Sequence, residues 1–254
     1  MLRRLPHGPV LELQLDRPPA NALSPELIVA LRRAVQTAPS EGFEGVLLSG
    51  RTGMFSAGLD VPLLVTFDRS GIEGLWEEFL GLLGALAGSP IPVGVAITGH
   101  APAGGAVISI FCDQRTMAAG DYKIGLNEVE VGIALPAEMM LPLRRLVGAG
   151  QAERLAVAGL MVGPDEALRL GLVDEVVPAD AVVERALERL RHLLARPRHA
   201  MLATRRLFRS ELISALGGGT IRRQLVEQWF SEETQEALRA LVERLRARQA
   251  VGAG

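Results

Sequence analysis

The sequence predicts an α/β fold that passes into a helical C-terminal region, and three observations carry that reading. Short apolar strands recur through the first half of the chain, and helical periodicity follows them. A glycine-bearing loop comes after a strand each time. From Pro136 onward helical patterns dominate.

The elements follow in order. Val10-Leu11-Glu12-Leu13-Gln14-Leu15 alternates and predicts a strand with one wet face. Arg17-Pro18-Pro19-Ala20-Asn21-Ala22 is loop. Ser24-Pro25-Glu26 starts a helix with an N-cap hydroxyl, a proline at the first helical position and an acid in the first turn. That helix runs through Leu27, Leu31 and Val35. Residues 45–50 read as a short buried strand, and a second loop spans 53–60. Residues 75–86 are helical, with Trp76, Phe79, Leu80, Leu83 and Leu86 on one face. A buried strand over 91–97 leads into the small-residue turn Ala101-Pro102-Ala103-Gly104-Gly105 and an apolar helical run over 106–111.

Helices are then expected over 136–147, 151–158, 164–170 and 180–195, with 173–177 either a last strand or an extended link. After Pro197 come helices over 199–208 and about 220–248, separated by Gly217-Gly218-Gly219 as a flexible joint. A break near Pro197 divides the chain into a core, 1–196, and a helical part, 197–254. The stripe Ile221, Leu225 and Trp229 is suited to packing on a neighbour or back on the core.

Composition narrows the function. The chain has 254 residues, enough to bury a sizeable core, and is 48% hydrophobic and 22% charged. Its net charge of −2 argues against a dedicated nucleic-acid binder but leaves room for a local basic patch. Cys112 is the only cysteine, which excludes an intrachain disulfide and a thiolate metal cluster. His7, His100, His192 and His199 show no ligand spacing, so no metal is expected. The N-terminus has no signal-peptide pattern, and the apolar runs are far short of a membrane span. A reduced, cytoplasmic protein is the expectation.

The stretch 101–132 carries the chemistry. Two glycines let a substrate oxygen approach the backbone, because no Cβ stands in the way. N–H groups at a helix start lack internal partners and can face a developing negative charge. Gly104 offers such a donor. Gly125-Leu126-Asn127-Glu128 brings one carboxylate, the candidate base, into an apolar neighbourhood. Taken alone, Glu128 reads as a solvated turn residue, Gly104-Gly105 as close helix packing, and Ala57-Gly58 as an ordinary turn. Asp60 is expected to fix its own loop, and Asp113 and Arg115 to form a structural pair. Cys112 reads as inert core, His100 as structural, and Trp76 and Phe79 as core or the border of a substrate tunnel. Glu138 is expected to face solvent or cap its helix, or else to add a polar group to the substrate pocket.

Four ordered motifs then carry a resemblance: Phe55-Ser56-Ala57-Gly58-Leu59-Asp60; Ile97-Thr98-Gly99-His100-Ala101-Pro102-Ala103-Gly104-Gly105; Cys112-Asp113-Gln114-Arg115; and Gly125-Leu126-Asn127-Glu128. In this order the chain resembles the crotonase (enoyl-CoA hydratase/isomerase) superfamily over nearly its whole length. Asn21-Ala22-Leu23 and Gly171-Leu172-Val173-Asp174 fit as well. The resemblance implies a crotonase-like ββα spiral with a helical C-terminal region that builds homotrimers, often paired into hexamers. It implies an acyl-CoA site in which the amides of Ala57 and Gly104 form an oxyanion hole. Ser56, Gly58, Leu59, Asp60, Gly105, Val107 and Leu126 would border the substrate. Coenzyme A is then part of the substrate, and no separate cofactor is implied.

The departure from the hydratase pattern is informative. Hydratases carry a glutamate three residues beyond the oxyanion-hole glycine, and here that residue is Val107. Glu128 matches the second hydratase glutamate. One carboxylate facing a valine suits moving a proton between two carbons better than adding water. The layout is similar to the mitochondrial-type delta-3,delta-2-enoyl-CoA isomerase branch, which implies a shift of the double bond from position 3 to position 2. Hydration, thioester hydrolysis and a silent binding scaffold are the alternatives. Leu126, Val129 and Val107 are expected to keep water from Glu128. Arg198, Arg205, Arg206 and Arg209, with Phe208 and Phe230, are the expected contacts of the coenzyme A phosphates and adenine. Neither a membrane nor a nucleic acid is an expected partner.

Overall fold

In the computed structural model, which describes residues 1–216 and 220–252, the chain opens with an antiparallel hairpin of β1 (Leu2–His7) and β2 (Val10–Leu15). β1 adds to the sequence reading. It is a half-exposed edge strand containing Pro6, so it shows no apolar run. Next comes α1 (Pro25–Thr37), where the Ser24 hydroxyl accepts from Leu27 N at 3.4 Å.

Three rounds of strand, short strand and helix follow. The first is β3 (Gly45–Ser49), β4 (Gly53–Met54) and the helices α2 (Val61–Leu64) and α3 (Arg69–Gly88). The second is β5 (Val93–Ile97), β6 (Gly99–Pro102) and α4 (Gly104–Ile110). The third is β7 (Gln114–Ala118), β8 (Ile124–Gly125), a 3-10 turn (Glu128–Val131) and α5 (Ala137–Val147). Each round gives its first strand to one sheet and its second to another. The large sheet runs β1-β2-β3-β5-β7-β9 and is parallel after the hairpin, and β4-β6-β8 form a small parallel sheet. This alternation is the spiral that the resemblance implies.

Helices α6 (Ala149–Val157) and α7 (Pro164–Leu170) precede β9 (Glu175–Val177), so residues 173–177 do hold a last strand. Then come α8 (Val182–Leu194), α9 (Arg198–Ala215), α10 (Thr220–Trp229) and α11 (Glu232–Gly252). The single helix expected over 220–248 is two, broken at Phe230-Ser231, where the Ser231 hydroxyl accepts from Thr234 N at 3.3 Å. The helix expected over 75–86 begins earlier, because Asp68 caps it through Gly71 N at 2.9 Å. The glycine joint at 217–219 lies outside the described residues.

Both faces of the large sheet are covered. One carries the main core, including Leu11, Leu13, Val46, Leu48, Val93 and Val95. The other packs Val10, Leu47, Ala96 and Ala118 against Val182, Ala186, Leu187 and Leu190 of α8. Small residues permit that approach: a Cβ on Gly94 would stand 3.0 Å from Leu190 Cδ1. The wet face expected for β2 is therefore dry. Glu12 is buried and accepts from the Ser49 hydroxyl at 2.6 Å, with His7 Nε2 at 2.7 Å. Hydrogen bonds replace the water this carboxylate would need.

The expected Asp113–Arg115 pair does not form. Arg115 pairs with Asp174 at 2.7 Å, whereas Asp113 takes Arg205 and Arg209 of α9, each at 2.9 Å. Asp113 also accepts from Val93 N at 2.7 Å, so this buried network ties α9 to the sheet. Among the described residues, no helix is long and apolar enough to cross a membrane.

Candidate active site

The loop after β2, the loop before α2 and the start of α4 meet at one place, and buried polar groups hold them there. Asn21, fully buried at φ +49°, donates through Nδ2 to the carbonyls of Met54 and Phe55, both at 3.1 Å. Its Oδ1 accepts from Arg17 N at 2.9 Å. The Ser56 hydroxyl donates to Asn21 O at 2.8 Å and accepts from Gly58 N at 3.2 Å. A Cβ on Gly105 would lie 2.5 Å from Ser56 O, and one on Gly58 would lie 3.0 Å from Gly104 N. Residues 56–58 and 104–105 are thus in direct contact.

The two amides singled out in the sequence differ in state. Gly104 N–H has no protein acceptor among the described residues. Ala57 N–H donates to Ala20 O at 3.0 Å. Just before Gly104, Ala103 sits at φ +46°, a backbone angle that costs free energy for a residue with a Cβ. Its N–H donates to Gly125 O at 2.9 Å, which links the start of α4 to the strand that leads to Glu128.

Glu128 opens the 3-10 turn. Its Oε2 is buried without a hydrogen-bond partner, and burial pushes the carboxyl up to about 7 from its ordinary 4.5. It lines a cavity of about 770 Å3 together with Ala57, Gly104 and Val107. The walls are mostly apolar: Trp76 and Phe79 from α3, Val131, Ile133, Met139, Leu225 and Trp229 from α10, and Leu238 and Val242 from α11. Trp76 meets Trp229 edge to face at 6.4 Å and Phe79 at 6.1 Å between ring centres. Asp60, the other carboxylate of the lining, is tied to Arg17 at 2.5 Å and caps α2 through Leu63 N at 3.3 Å.

Of the residues expected at the site, Ala57, Leu59, Asp60, Gly104, Val107 and Glu128 line the cavity. Ser56, Gly58, Gly105 and Leu126 stand behind its wall, where they set the backbone rather than face the space. Val129 is 40% exposed and does not shield Glu128; Val131, Ile133 and Leu135 lie beside it in the lining instead. His100 accepts from Lys123 N at 3.2 Å outside the cavity.

The arginines expected for coenzyme A do not line the chamber. Arg205 and Arg209 are held by Asp113, Arg198 lies 3.5 Å from Glu44, and Arg206 does not line the chamber. Phe208 is outside the chamber, and Phe230 lies under Arg69 at 5.1 Å. The cations of the lining are Arg17 and Arg246. The sequence reading also passed over Ala20, Asn127 and α11. The spacing of Leu238, Leu241, Val242 and Leu245 was the available signal, since i, i+3, i+4 and i+7 mark one helix face.

Comparisons with known proteins agree with this geometry. Residues 7–249 match the family profile described as enoyl-CoA hydratase/isomerase. The chain is 34% identical to human mitochondrial enoyl-CoA delta isomerase 1 over 244 residues, covering 93% of this chain and 80% of that protein. It is 32% identical to a probable enoyl-CoA hydratase of Mycobacterium avium over 194 residues, covering 76% and 75%. The fold superposes on the crystal structure of human mitochondrial delta3-delta2-enoyl-CoA isomerase with a TM-score of 0.93 at 32% identity, covering 97% and 98% of the two chains. An enoyl-CoA hydratase/isomerase of Pseudoalteromonas atlantica superposes with a TM-score of 0.83 at 26% identity, covering 96% and 97%.

Proposed function

The chain belongs to the enoyl-CoA hydratase/isomerase family, and on that premise we propose that it moves a double bond from position 3 to position 2 of an enoyl-CoA. One observation carries the reading: Glu128 is a buried carboxylate with a partnerless oxygen in an apolar chamber whose other carboxylate, Asp60, is neutralised by Arg17.

The thioester oxygen is placed against Gly104 N–H, with Ala57 N–H turning from Ala20 O to share it. These donors act on charge that appears only as the substrate loses its proton, so they favour the transition state over the ground state. Glu128 takes a proton from C2. The C2–H electron pair moves into the carbonyl, giving a dienolate delocalised to C4. The protonated Glu128 then returns that proton to C4, and the double bond lies between C2 and C3. A carboxyl near 7 suits both halves, because a group that must accept and then donate works best close to the ambient pH. The apolar walls limit competing addition of water.

Three further elements go with this reading. Coenzyme A enters as part of the substrate, with Arg246 the lining cation nearest to hand for its phosphates, since Arg17 is committed to Asp60. Assembly into trimers or hexamers would cover the exposed Leu207 on α9. A reducing compartment such as the cytoplasm is supported by the lone buried thiol of Cys112, and the task fits oxidation of unsaturated acyl chains.

The test is a paired assay with a 3-enoyl-CoA and a 2-enoyl-CoA. Isomerisation of the first, with little hydration of the second, supports the proposal. A chain that hydrates 2-enoyl-CoA as its main reaction, or that cleaves the thioester, overturns it.

A further inference from the structure

A second cavity, of about 290 Å3, lies between the end of α4, α5 and α9 and shares no lining residue with the Glu128 chamber. Its lining contains four arginines, Arg115, Arg145, Arg205 and Arg209, and a single carboxylate, Asp113. That carboxylate is already saturated: Oδ1 accepts from Arg205 and Arg209, both at 2.9 Å, and Oδ2 from Val93 N at 2.7 Å. Arg115 pairs with Asp174, which stands outside the lining. Even with Asp174 counted, four cations face two anions.

Two donors there have nowhere to go. Arg115 Nε and Arg205 Nη2 are buried without an acceptor, and the Arg115 side chain is only 5% exposed. Arg145 is exposed at the cavity and has no ion-pair partner among the described residues. Burial, with Arg205 and Arg145 close by, draws the Arg209 guanidinium below its ordinary value. Buried guanidinium donors are normally satisfied, and an uncompensated group of them is costly. Planar guanidinium forks match the oxygens of a phosphate, which can serve several arginines at once.

We propose that this cavity is a binding site for a small divalent oxyanion of the phosphate type, held by Arg115, Arg145 and Arg205. The anion is either free phosphate or the end of a phosphomonoester, whose organic part would lie against Phe208 and Leu212. The site is independent of the acyl-CoA reading, because it uses none of that chamber's residues.

The full chain is titrated with inorganic phosphate and with phenyl phosphate at about pH 8, where both are dianions, with chloride balancing the ionic strength. Melting temperature and calorimetry are read. A saturable rise in melting temperature with phosphate, absent with chloride, is the expected result. Arg145→Ala should weaken phosphate binding about tenfold while leaving acyl-CoA turnover unchanged. Arg246→Ala, in the other chamber, should leave the phosphate response intact. Tighter binding of phenyl phosphate identifies an ester as the occupant, and equal binding identifies free phosphate. The proposal is overturned if no saturable response appears, if Arg145→Ala binds as well as the parent, or if the response disappears with Arg246→Ala and not with Arg145→Ala.

Discussion

Ala57 N–H donates to the carbonyl of Ala20 at 3.0 Å, so one of the two amides we propose for the oxyanion is engaged before any substrate arrives. Gly104 N–H, by contrast, is ready. Binding of an unreactive acyl-CoA should therefore slow hydrogen exchange at Gly104 strongly and at Ala57 much less, since Ala57 only trades acceptors. Equal protection at both amides, or none at Gly104, would contradict this assignment.

Glu128→Gln keeps the shape of the side chain and removes its basicity. Turnover should fall by about 10²–10⁴-fold, the usual contribution of a positioned acid–base group, while acyl-CoA affinity stays within a small factor. Steady-state kinetics beside calorimetric binding decides it.

The raised Glu128 carboxyl sets a pH profile. With a value of about 7, the base form grows as pH rises, so kcat/KM should climb through that value and level off above it. Stability runs the other way. The folded state holds the proton between 4.5 and about 7 while the unfolded state has lost it, so stability falls as pH rises through this window. The full difference is about 3 kcal/mol. Glu128→Gln should then melt higher than the parent at about pH 8, with the gap closing toward about pH 4.5. A gap that does not change with pH would refute the shift.

Gly105→Ala places a Cβ 2.5 Å from the backbone oxygen of Ser56, which has no flexible end to yield. A loss of about 1–3 kcal/mol in stability is expected. Activity should fall further than stability explains, because the same strain moves residue 57 against residue 104. Urea denaturation and kcat on the same preparation separate the two effects.

Asp113→Ala leaves Arg205 and Arg209 buried without their shared counter-charge. Loss of one partner from such a buried cluster typically costs about 3–5 kcal/mol. Because the Glu128 chamber is lined by none of these residues, any Asp113→Ala protein that remains folded should keep its KM.

What could be read from the sequence follows the range of each interaction. Ser24-Pro25-Glu26 announces its helix because capping acts over three residues. The buried strands β3 and β5 stand out as apolar runs because both of their faces are covered. Glu12 misled for the opposite reason: its burial depends on α8, some 170 residues later, and on a hydroxyl and an imidazole that its own strand does not display. Asp113 and Arg115 looked like partners by adjacency, whereas their true partners are 59 to 96 residues away. At the chamber, Ala57, Gly104 and Glu128 were visible because their motifs are local in sequence. The wall supplied by α11 was not, since an amphipathic helix near the end of a chain does not disclose what it covers.

The lining begins at Arg17 and ends at Arg246. Four apolar side chains of that wall, Leu238, Leu241, Val242 and Leu245, come from α11, so detaching this one helix would lay the greasy floor of the chamber open to water.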